Sequence, residues 1–382
     1  AGAQRVSPAA TSLQMFLNNT ANRLSTLPAN PIGDLLEGAL WSVRRVLFPA
    51  SVGVVTAPIV VPLEPVDIVQ DGIVTIRKLG IWVSLANSST PQLFEFDTGA
   101  SGFLATYAAT SPQSNSPWWG ENYTSFGKIN RLFDSGLKYI GEEASTVVSL
   151  FASAGSTTPL LTTGDVRVGK VDIIEQTQPG TGIVEQVLWG PTGSPDGTPP
   201  VNGKFYGDFG AGPNYSPSGI TDLLNQLTFA RGVLPGYRIN VDENSKTYSV
   251  QLGLTQADIV DPNGIYLPMV LDAAAPPCVT APNSNTRYYS QQLFNATITI
   301  TDRAGNVLIH NKDVGMTPDT GSPTIENYGD SSESAITYAV LSRTGALIPG
   351  LYISLKGLTT GGVEKTFFNF TTSADLLPPE GY

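Results

Sequence analysis

The tripeptide Asp-Thr-Gly occurs twice in this chain, once in each half of its 382 residues. The first copy begins at Asp97 and is followed by Ala100, and the second begins at Asp319 and is followed by Ser322. Asp and Gly are common turn residues, so an ordinary turn after a strand accounts for a single copy. Two copies, each followed by a small residue, instead predict two similar lobes that each contribute one carboxylate to a cleft between them.

Paired carboxyl groups can hydrolyse a peptide bond with water as the nucleophile. Hydrolysis needs a base that deprotonates the water and an acid that protonates the substrate. Two carboxyls held about 3 Å apart cannot both ionise, so they share one proton and divide these roles. We therefore predict that Asp97 and Asp319 are the catalytic residues. The residues predicted to support the pair, through hydroxyl hydrogen bonds and close backbone approach, are Thr98, Gly99, Thr320, Gly321 and Ser322.

The segments that precede the two copies differ in character. Leu93–Phe96 alternates apolar and polar residues, which predicts a strand that runs into the first loop. Val314–Pro318 precedes the second copy, and its proline cannot donate to a strand ladder. A similar tripeptide, Asp134-Ser135-Gly136, lies in the same half as Asp97, so we interpret it as a turn. We therefore expect the second loop to be the less regular of the two.

Composition narrows the chemistry further. His310 is the only histidine and Cys278 the only cysteine. A single histidine argues against a Ser-His-Asp triad and excludes metal sites that need two histidines, and a single cysteine leaves no internal disulfide. We predict no metal and no other cofactor. The net charge of −11 argues against nucleic acid as a partner, and a charged fraction of only 14% is typical of extracellular β-proteins.

Local patterns predict a mostly β body behind a linker. Residues 1–54 are expected to be a linker with one amphipathic helix, Pro31–Phe48, which packs on the body or serves as a docking or membrane-surface helix. Beyond this linker, short β-branched and aromatic segments between turns predict strands. Ser218–Leu227 is predicted to be a short amphipathic helix. Trp118 and Trp119 are predicted to pack in the body, with a role as a subsite wall as the alternative.

The order of these segments resembles that of pepsin-like aspartic proteases. Tyr139-Ile140-Gly141 follows the first Asp-Thr-Gly at about the spacing of the flap tyrosine in that family. Gly207–Gly212, followed by a predicted helix, is similar to the family's hydrophobic-Gly segment. Gly236–Val241 and Tyr248–Gly253 are similar to the strands of its next hairpin. The resemblance covers about residues 55–382.

This resemblance implies an all-β, bilobal pepsin-like acid protease fold with an N-terminal linker helix. It divides the chain into a linker (1–54), an N-terminal protease lobe (55–258) and a C-terminal protease lobe (259–382). It implies a monomeric aspartic endopeptidase in which Tyr139, as the flap residue, closes over the substrate. Both Asp-Thr-Gly copies are intact, whereas inactive proteins of this fold usually lose an Asp or its Gly.

The segment NPIGDLLEGALWSVRRVLF (residues 30–48), ahead of a His-poor body, is similar to linkers of mycobacterial surface proteins. The chain most resembles the C-terminal aspartic protease domain of mycobacterial PE/PE-PGRS proteins. That resemblance implies a secreted, cell-surface location in the mycobacterial envelope, reached by type VII export through a PE domain absent from this chain. The implied partners are protein or peptide substrates, among them PE-domain proteins including the protein itself.

One departure from the family predicts a change in pH dependence. Ala100 stands where pepsin-like proteases carry Ser or Thr, whose hydroxyl favours the ionised carboxylate. Its loss should raise the pKa values of the carboxyl pair, which predicts a pH optimum less acidic than that of pepsin.

Three other function classes stay open. The first is a catalytically silent pepsin-fold binding protein of the cell envelope. The second is a carbohydrate-acting envelope protein with a carboxylate pair. The third is a structural surface protein in which the two tripeptides occur by chance.

Overall fold

The structure is a computed structural model that describes residues 54–70, 73–109, 118–133, 135–178, 181–214, 220–242, 245–260, 265–266, 269–271, 288–316, 319–321, 348–359 and 362–372. These residues are almost entirely β structure, as the sequence predicts. Their helical content is one α-helical turn, α1 (Gln256–Ile259), and one 3-10 turn (Leu224–Gln226). The predicted helix Pro31–Phe48 lies outside the described residues, as do Asp134, Cys278, Pro318 and Ser322.

Nineteen strands are described. In chain order they are β1 (Val54–Val55), β2 (Ile59–Gln70), β3 (Ile73–Leu85), β4 (Gln92–Asp97), β5 (Ser101–Thr106), β6 (Tyr123–Leu132), β7 (Leu137–Phe151), β8 (Leu161–Thr177), β9 (Val184–Trp189), β10 (Gly207–Ala211), β11 (Thr228–Phe229), β12 (Leu234–Asp242), β13 (Thr247–Leu254), β14 (Ile265–Tyr266), β15 (Met269–Leu271), β16 (Tyr289–Thr301), β17 (Val307–Met316), β18 (Tyr352–Thr359) and β19 (Glu364–Thr371).

The larger sheet has eleven strands and includes β4, which leads into the first Asp-Thr-Gly. Its order is β12-β13-β2-β3-β4-β10-β5-β8-β7-β6, with β9 paired to β8. An additional pairing of β3 with β7 closes six strands, β3-β4-β10-β5-β8-β7, into a ring. Strands β1 and β11 form a separate parallel pair. Within the ring β4 is hydrogen-bonded on both sides, by β3 and by β10, and these bonds fix the backbone that carries Asp97.

Alternation along β4 separates the core from the site. Phe94 and Phe96 are fully buried on one face of the strand. Phe94 packs edge-on against Phe103 at 4.9 Å, and Phe96 stacks on Phe209 at 6.0 Å. Because side chains alternate between the two faces of a strand, Asp97 lies on the opposite face. The strand predicted at Leu93–Phe96 is confirmed.

An aromatic cluster fills another part of the core. The side chains of Trp118 and Trp119 are buried, with 3% and 2% of their surface exposed. Both indole N–H groups donate to the carbonyl oxygen of Thr106 at 2.9 Å. These contacts agree with the packing interpretation and leave neither ring free to line a subsite.

The smaller sheet has six strands in the order β14-β18-β16-β15, with β17 paired to β16 and β19 paired to β18. Ile300, Ile309, Leu351 and Ile353 form its small core. Strands β16 and β17 form a hairpin, and β17 ends at Met316, shortly before the second Asp-Thr-Gly. The boundary between residues 258 and 259 stays a prediction.

The helix predicted at Ser218–Leu227 is wrong in extent, because its described part contains only the 3-10 turn Leu224–Gln226. Side chains here bond to the backbone in ways that compete with a longer helix. Asp222 Oδ1 accepts the N–H of Asn225, and the Gln226 amide bonds to both the N–H and the carbonyl of Arg167 in β8. Among the described residues, no helix is long and apolar enough to span a membrane.

Candidate active site

The two Asp-Thr-Gly segments meet in space. Asp97 is the last residue of β4, in register with Gly210 of the neighbouring parallel strand β10. Asp319 follows the end of β17. The side chain of Asp97 is half-buried and that of Asp319 is exposed. The two carboxyl groups lie close enough for their charges to interact.

Each carboxyl lies against the glycine of the opposite segment. A Cβ atom placed on Gly99 would lie 2.1 Å from Asp319 Oδ2. A Cβ placed on Gly321 would lie 2.3 Å from Cγ of Asp97. Neither gap holds even a methyl group, so glycine at both positions is what lets the carboxyls approach each other.

Reciprocal hydrogen bonds between the two threonines fasten the segments together. The N–H of Thr98 donates to Thr320 Oγ1 at 3.1 Å, and the N–H of Thr320 donates to Thr98 Oγ1 at 3.0 Å. The Thr320 hydroxyl in turn donates to the carbonyl oxygen of Phe96 at 2.6 Å. These bonds give the site an approximate twofold symmetry and fix its two halves relative to each other.

Backbone N–H groups orient both carboxyls. Asp97 Oδ1 accepts from Gly99 N–H at 2.7 Å and from Ala100 N–H at 3.1 Å. Asp319 Oδ1 accepts from Gly321 N–H at 2.7 Å. In each case the second carboxyl oxygen receives none of these bonds, which suits it to face the partner carboxyl and a water molecule.

The surroundings favour a proton on the pair. Burial, the Asp319 carboxyl and the Glu95 carboxyl raise the pKa of Asp97 to about 7, against the opposing effect of the Gly99 N–H. The Asp97 carboxyl is therefore expected to hold a proton throughout the mildly acidic range.

Tyr139 does not occupy the position predicted for it. It lies inside β7, its side chain is 1% exposed, and its ring packs edge-on against Phe133 at 5.2 Å. The tip of the β6–β7 hairpin comes earlier, around Ser135 and Gly136, where Gly136 adopts a φ of +83°. This position contradicts the predicted flap role, because a ring held in the core cannot close over a substrate. Ser135 and Gly136 lie in the turn, as predicted for that tripeptide.

Sequence reasoning missed two buried acidic residues beside the pair, Glu95 and Asp208. Each has 5% of its surface exposed, and they are register partners on β4 and β10. Burial raises the pKa of both carboxyls. For Glu95 the sequence offers one signal, its position between two core phenylalanines, and that pattern normally indicates a solvent-facing side chain. Among the described residues, no group of three or more His, Cys, Asp or Glu side chains is arranged to hold a metal ion.

Replacing Thr320 with Val is expected to loosen the site. Valine matches the shape of threonine but leaves the Thr98 N–H and the Phe96 carbonyl without their partner. We expect the free energy of unfolding to fall by about 1–3 kcal/mol, measured by urea denaturation. Thr181→Val removes a hydroxyl bond in an exposed turn and should change stability by less than about 0.5 kcal/mol. Equal effects of the two substitutions would contradict the cross-linking role of Thr320.

No protein-family model and no curated protein matches this sequence. Among solved structures, the chain is similar to an aspartic proteinase from Irpex lacteus, with a TM-score of 0.42 and 14% sequence identity. The alignment covers 82% of this chain and 79% of that chain. At this level the likeness assigns neither a family nor an activity.

Proposed function

We propose that this chain is an aspartic endopeptidase in which Asp97 and Asp319 activate a water molecule. The observation that supports this most is the meeting of the two carboxyls, each set against the glycine of the opposite segment. Such a pair supplies a base and an acid at the same point in space. Backbone N–H groups also hold one oxygen of each carboxyl in place, which fixes the orientation of the pair for this chemistry.

The proposed reaction needs only the shared proton and water. The ionised carboxyl takes a proton from water while the oxygen of that water attacks the peptide carbonyl carbon. The protonated carboxyl gives its proton to the carbonyl oxygen, which yields a neutral tetrahedral diol. The carboxyl that gained the proton of the water then protonates the leaving nitrogen. As the C–N bond breaks, the other carboxylate takes a proton from one hydroxyl of the diol, which releases a neutral carboxylic acid and an amine and returns the pair to its singly protonated state.

The proposal includes a pepsin-like, bilobal architecture. The lobes would comprise residues 55–258 and 259–382, each carrying one Asp-Thr-Gly at a shared cleft, in a monomer. The larger sheet ends at Leu254 and the smaller begins at Ile265, which is compatible with that division. A monomer whose activity per mole is independent of concentration supports it, and activity that appears only on dimerisation opposes it.

We further propose that the substrates are PE-domain surface proteins, including this protein itself, at the mycobacterial cell envelope. The sequence resemblance of the linker and body is the one observation that supports these substrates and this location. The same proposal includes type VII export through a PE domain. Separate incubations of the chain with a PE-domain protein and with denatured casein test the endopeptidase activity and the proposed substrate independently. Cleavage of both substrates supports the full proposal, whereas cleavage of casein alone leaves the endopeptidase and removes the proposed substrate.

The raised pKa of Asp97 predicts the pH dependence of hydrolysis. Because the reaction needs one proton on the pair, activity is expected below a pKa of about 7 and is lost as the pH rises through it. Ala100→Ser adds a hydroxyl that favours the ionised carboxyl, so its profile should shift to lower pH. The measurement is kcat/KM for a fluorogenic peptide across the acidic and neutral range. A maximum below about pH 3 in the unmodified chain would contradict this prediction.

A further inference from the structure

The face of the larger sheet that carries Asp97 also carries buried charged side chains next to the candidate site. Glu95 and Asp97 are two residues apart on β4 and therefore project from the same face. Asp208 lies beside Glu95 in register on β10, and Gly80 lies opposite Glu95 on β3. A buried carboxylate so close to the pair needs a counter-charge, because an isolated buried charge is strongly unfavourable.

Lys78 of β3 supplies that counter-charge and also contacts the second Asp-Thr-Gly. Its Nζ donates to Glu95 Oε1 at 2.5 Å and to the carbonyl oxygen of Gly321 at 2.8 Å. The side chain of Lys78 is 12% exposed and that of Glu95 is 7% exposed. One ammonium group therefore bonds to a buried carboxylate of the larger sheet and to the backbone of the segment that carries Asp319.

We propose that Lys78 is a positioning residue that holds the Asp319 segment against the Asp97 segment through its joint contact with Glu95 and the Gly321 carbonyl. This inference rests on the proposed function. The N–H of Gly321 orients Asp319, and Gly321 lies so close to the Asp97 carboxyl that it leaves no room for a Cβ. A bond to its carbonyl therefore acts on the backbone that sets the separation of the two carboxyls.

The threonine bonds alone leave this end of the segment less constrained. They hold Thr320, one residue before Gly321, and they lie on the side of Phe96 and Thr98. Lys78 contacts the next residue from a different strand. Two attachment points on consecutive residues restrict rotation of the segment, which a single point does not.

Lys78 also influences the charge around Asp97. Its ammonium opposes the effect of burial on Glu95, and the Glu95 charge in turn raises the pKa of Asp97. Charge interactions also link Asp319 to Glu95 and Asp97, and link these two carboxyls to Asp208 and to the hydroxyl of Tyr139. Arg131 interacts with Asp208. Removal of Lys78 alone would leave the Glu95 carboxylate buried without a counter-charge. The test must therefore replace both Lys78 and Glu95.

The test compares Lys78→Met/Glu95→Gln with Lys170→Met. The double variant removes the ion pair without leaving a buried charge, and it also removes the bond to Gly321. Lys170 is a matched control, since its side chain is 8% exposed and its ammonium pairs with Asp172 and Glu142 within the larger sheet. The probe is a quenched fluorogenic peptide built around a bond that the chain cleaves in denatured casein.

The double variant is expected to lower kcat at least about 10-fold with KM changed less than about twofold, because carboxyl geometry rather than substrate contact is altered. Lys170→Met should leave kcat within about twofold. Lys78→Arg, which keeps charge and donors, should recover most of the kcat lost in Lys78→Met. A folded double variant with unchanged kcat would overturn the inference.

Asp97→Asn and Asp319→Asn separate this inference from the function on which it rests. If both abolish cleavage while the double variant retains full kcat, only the positioning role of Lys78 fails. If neither abolishes cleavage, the proposed function fails, whatever the double variant does.

Discussion

Replacing Asp319 with Asn is expected to reduce kcat/KM for peptide hydrolysis by about 10³-fold or more, and Asp97→Asn should do the same. Asparagine has nearly the shape of aspartate but neither accepts nor supplies a proton at these pH values. With one carboxyl gone, the pair can no longer provide both base and acid. The expected loss is similar for the two variants, because the proposed reaction needs proton transfers from each of the two carboxyls.

Asp196→Asn is the matched control. Asp196 lies in an exposed loop, where its carboxylate accepts bonds from Ser194 and Thr198. The same chemical change there should leave kcat/KM within about twofold. Circular dichroism and thermal unfolding verify that each variant is folded. A folded Asp97→Asn or Asp319→Asn chain that retains a tenth of the activity would contradict the roles assigned to the pair.

Replacing Gly99 with Ala is expected to reduce kcat by about 10²-fold or more, because catalytic groups misplaced by about 1 Å lose roughly that much. The added methyl group would lie 2.1 Å from Asp319 Oδ2, and its position on the backbone is fixed. The Asp319 segment must therefore move away. The chain should still fold, since the buried core around Phe94 and Phe96 lies on the opposite face of β4.

Gly155→Ala gives the matched glycine substitution. A Cβ at Gly155 meets nothing within 4 Å, so we expect an activity change of less than about twofold. The measurement is kcat at saturating peptide, beside urea denaturation of both variants. If Gly99→Ala kept kcat within threefold of the unmodified chain, the two segments could not be as close in solution as they are in this structure.

The first half of the site was predictable because its signals are local. Alternation over Leu93–Phe96 indicates a strand, and Asp-Thr-Gly after it indicates a loop, which is where the structure has them. The cross-loop bonds of Thr98 and Thr320 follow from chemistry once two similar loops are assumed to meet. That meeting itself was inferred from the repeat and from no local pattern.

The errors came from features that depend on contacts distant in sequence. Spacing from Asp97 suggested Tyr139 as a flap residue, but which residue reaches a hairpin tip depends on the strand register around Gly136. The helix expected up to Leu227 does not form, because the side-chain amide of Gln226 bonds to the backbone of Arg167 in β8. In both cases contacts with residues distant in sequence determined the structure, and the local sequence did not indicate those contacts.

Glu95 and Lys78 show a further limit of alternation. A charged residue between core residues of a strand indicates a solvent-facing side chain, and Glu95 fits that pattern. In the structure the face that carries Glu95 is covered as well, because Lys78 bonds to Glu95 and to the Gly321 carbonyl of the Asp319 segment. Gly321, which accepts from Lys78, is 243 positions away in sequence. No pattern within a strand could indicate that contact.

A catalytically silent binding protein is the main competing function. It would keep the fold and bind unfolded chains without cutting them, and the substitutions at Asp97 and Asp319 would then alter affinity alone. The backbone donors to both carboxyls and the close approach of each carboxyl to the opposite glycine favour the endopeptidase.

The most direct measurement is mass spectrometry of denatured casein incubated with the unmodified chain and, separately, with folded Asp97→Asn. We expect new peptide termini at mildly acidic pH with the unmodified chain and none with the variant over the same time. Equal cleavage by both chains, or no cleavage by the folded unmodified chain at any pH between about 3 and 7, would contradict the assignment of a water-activating aspartate pair.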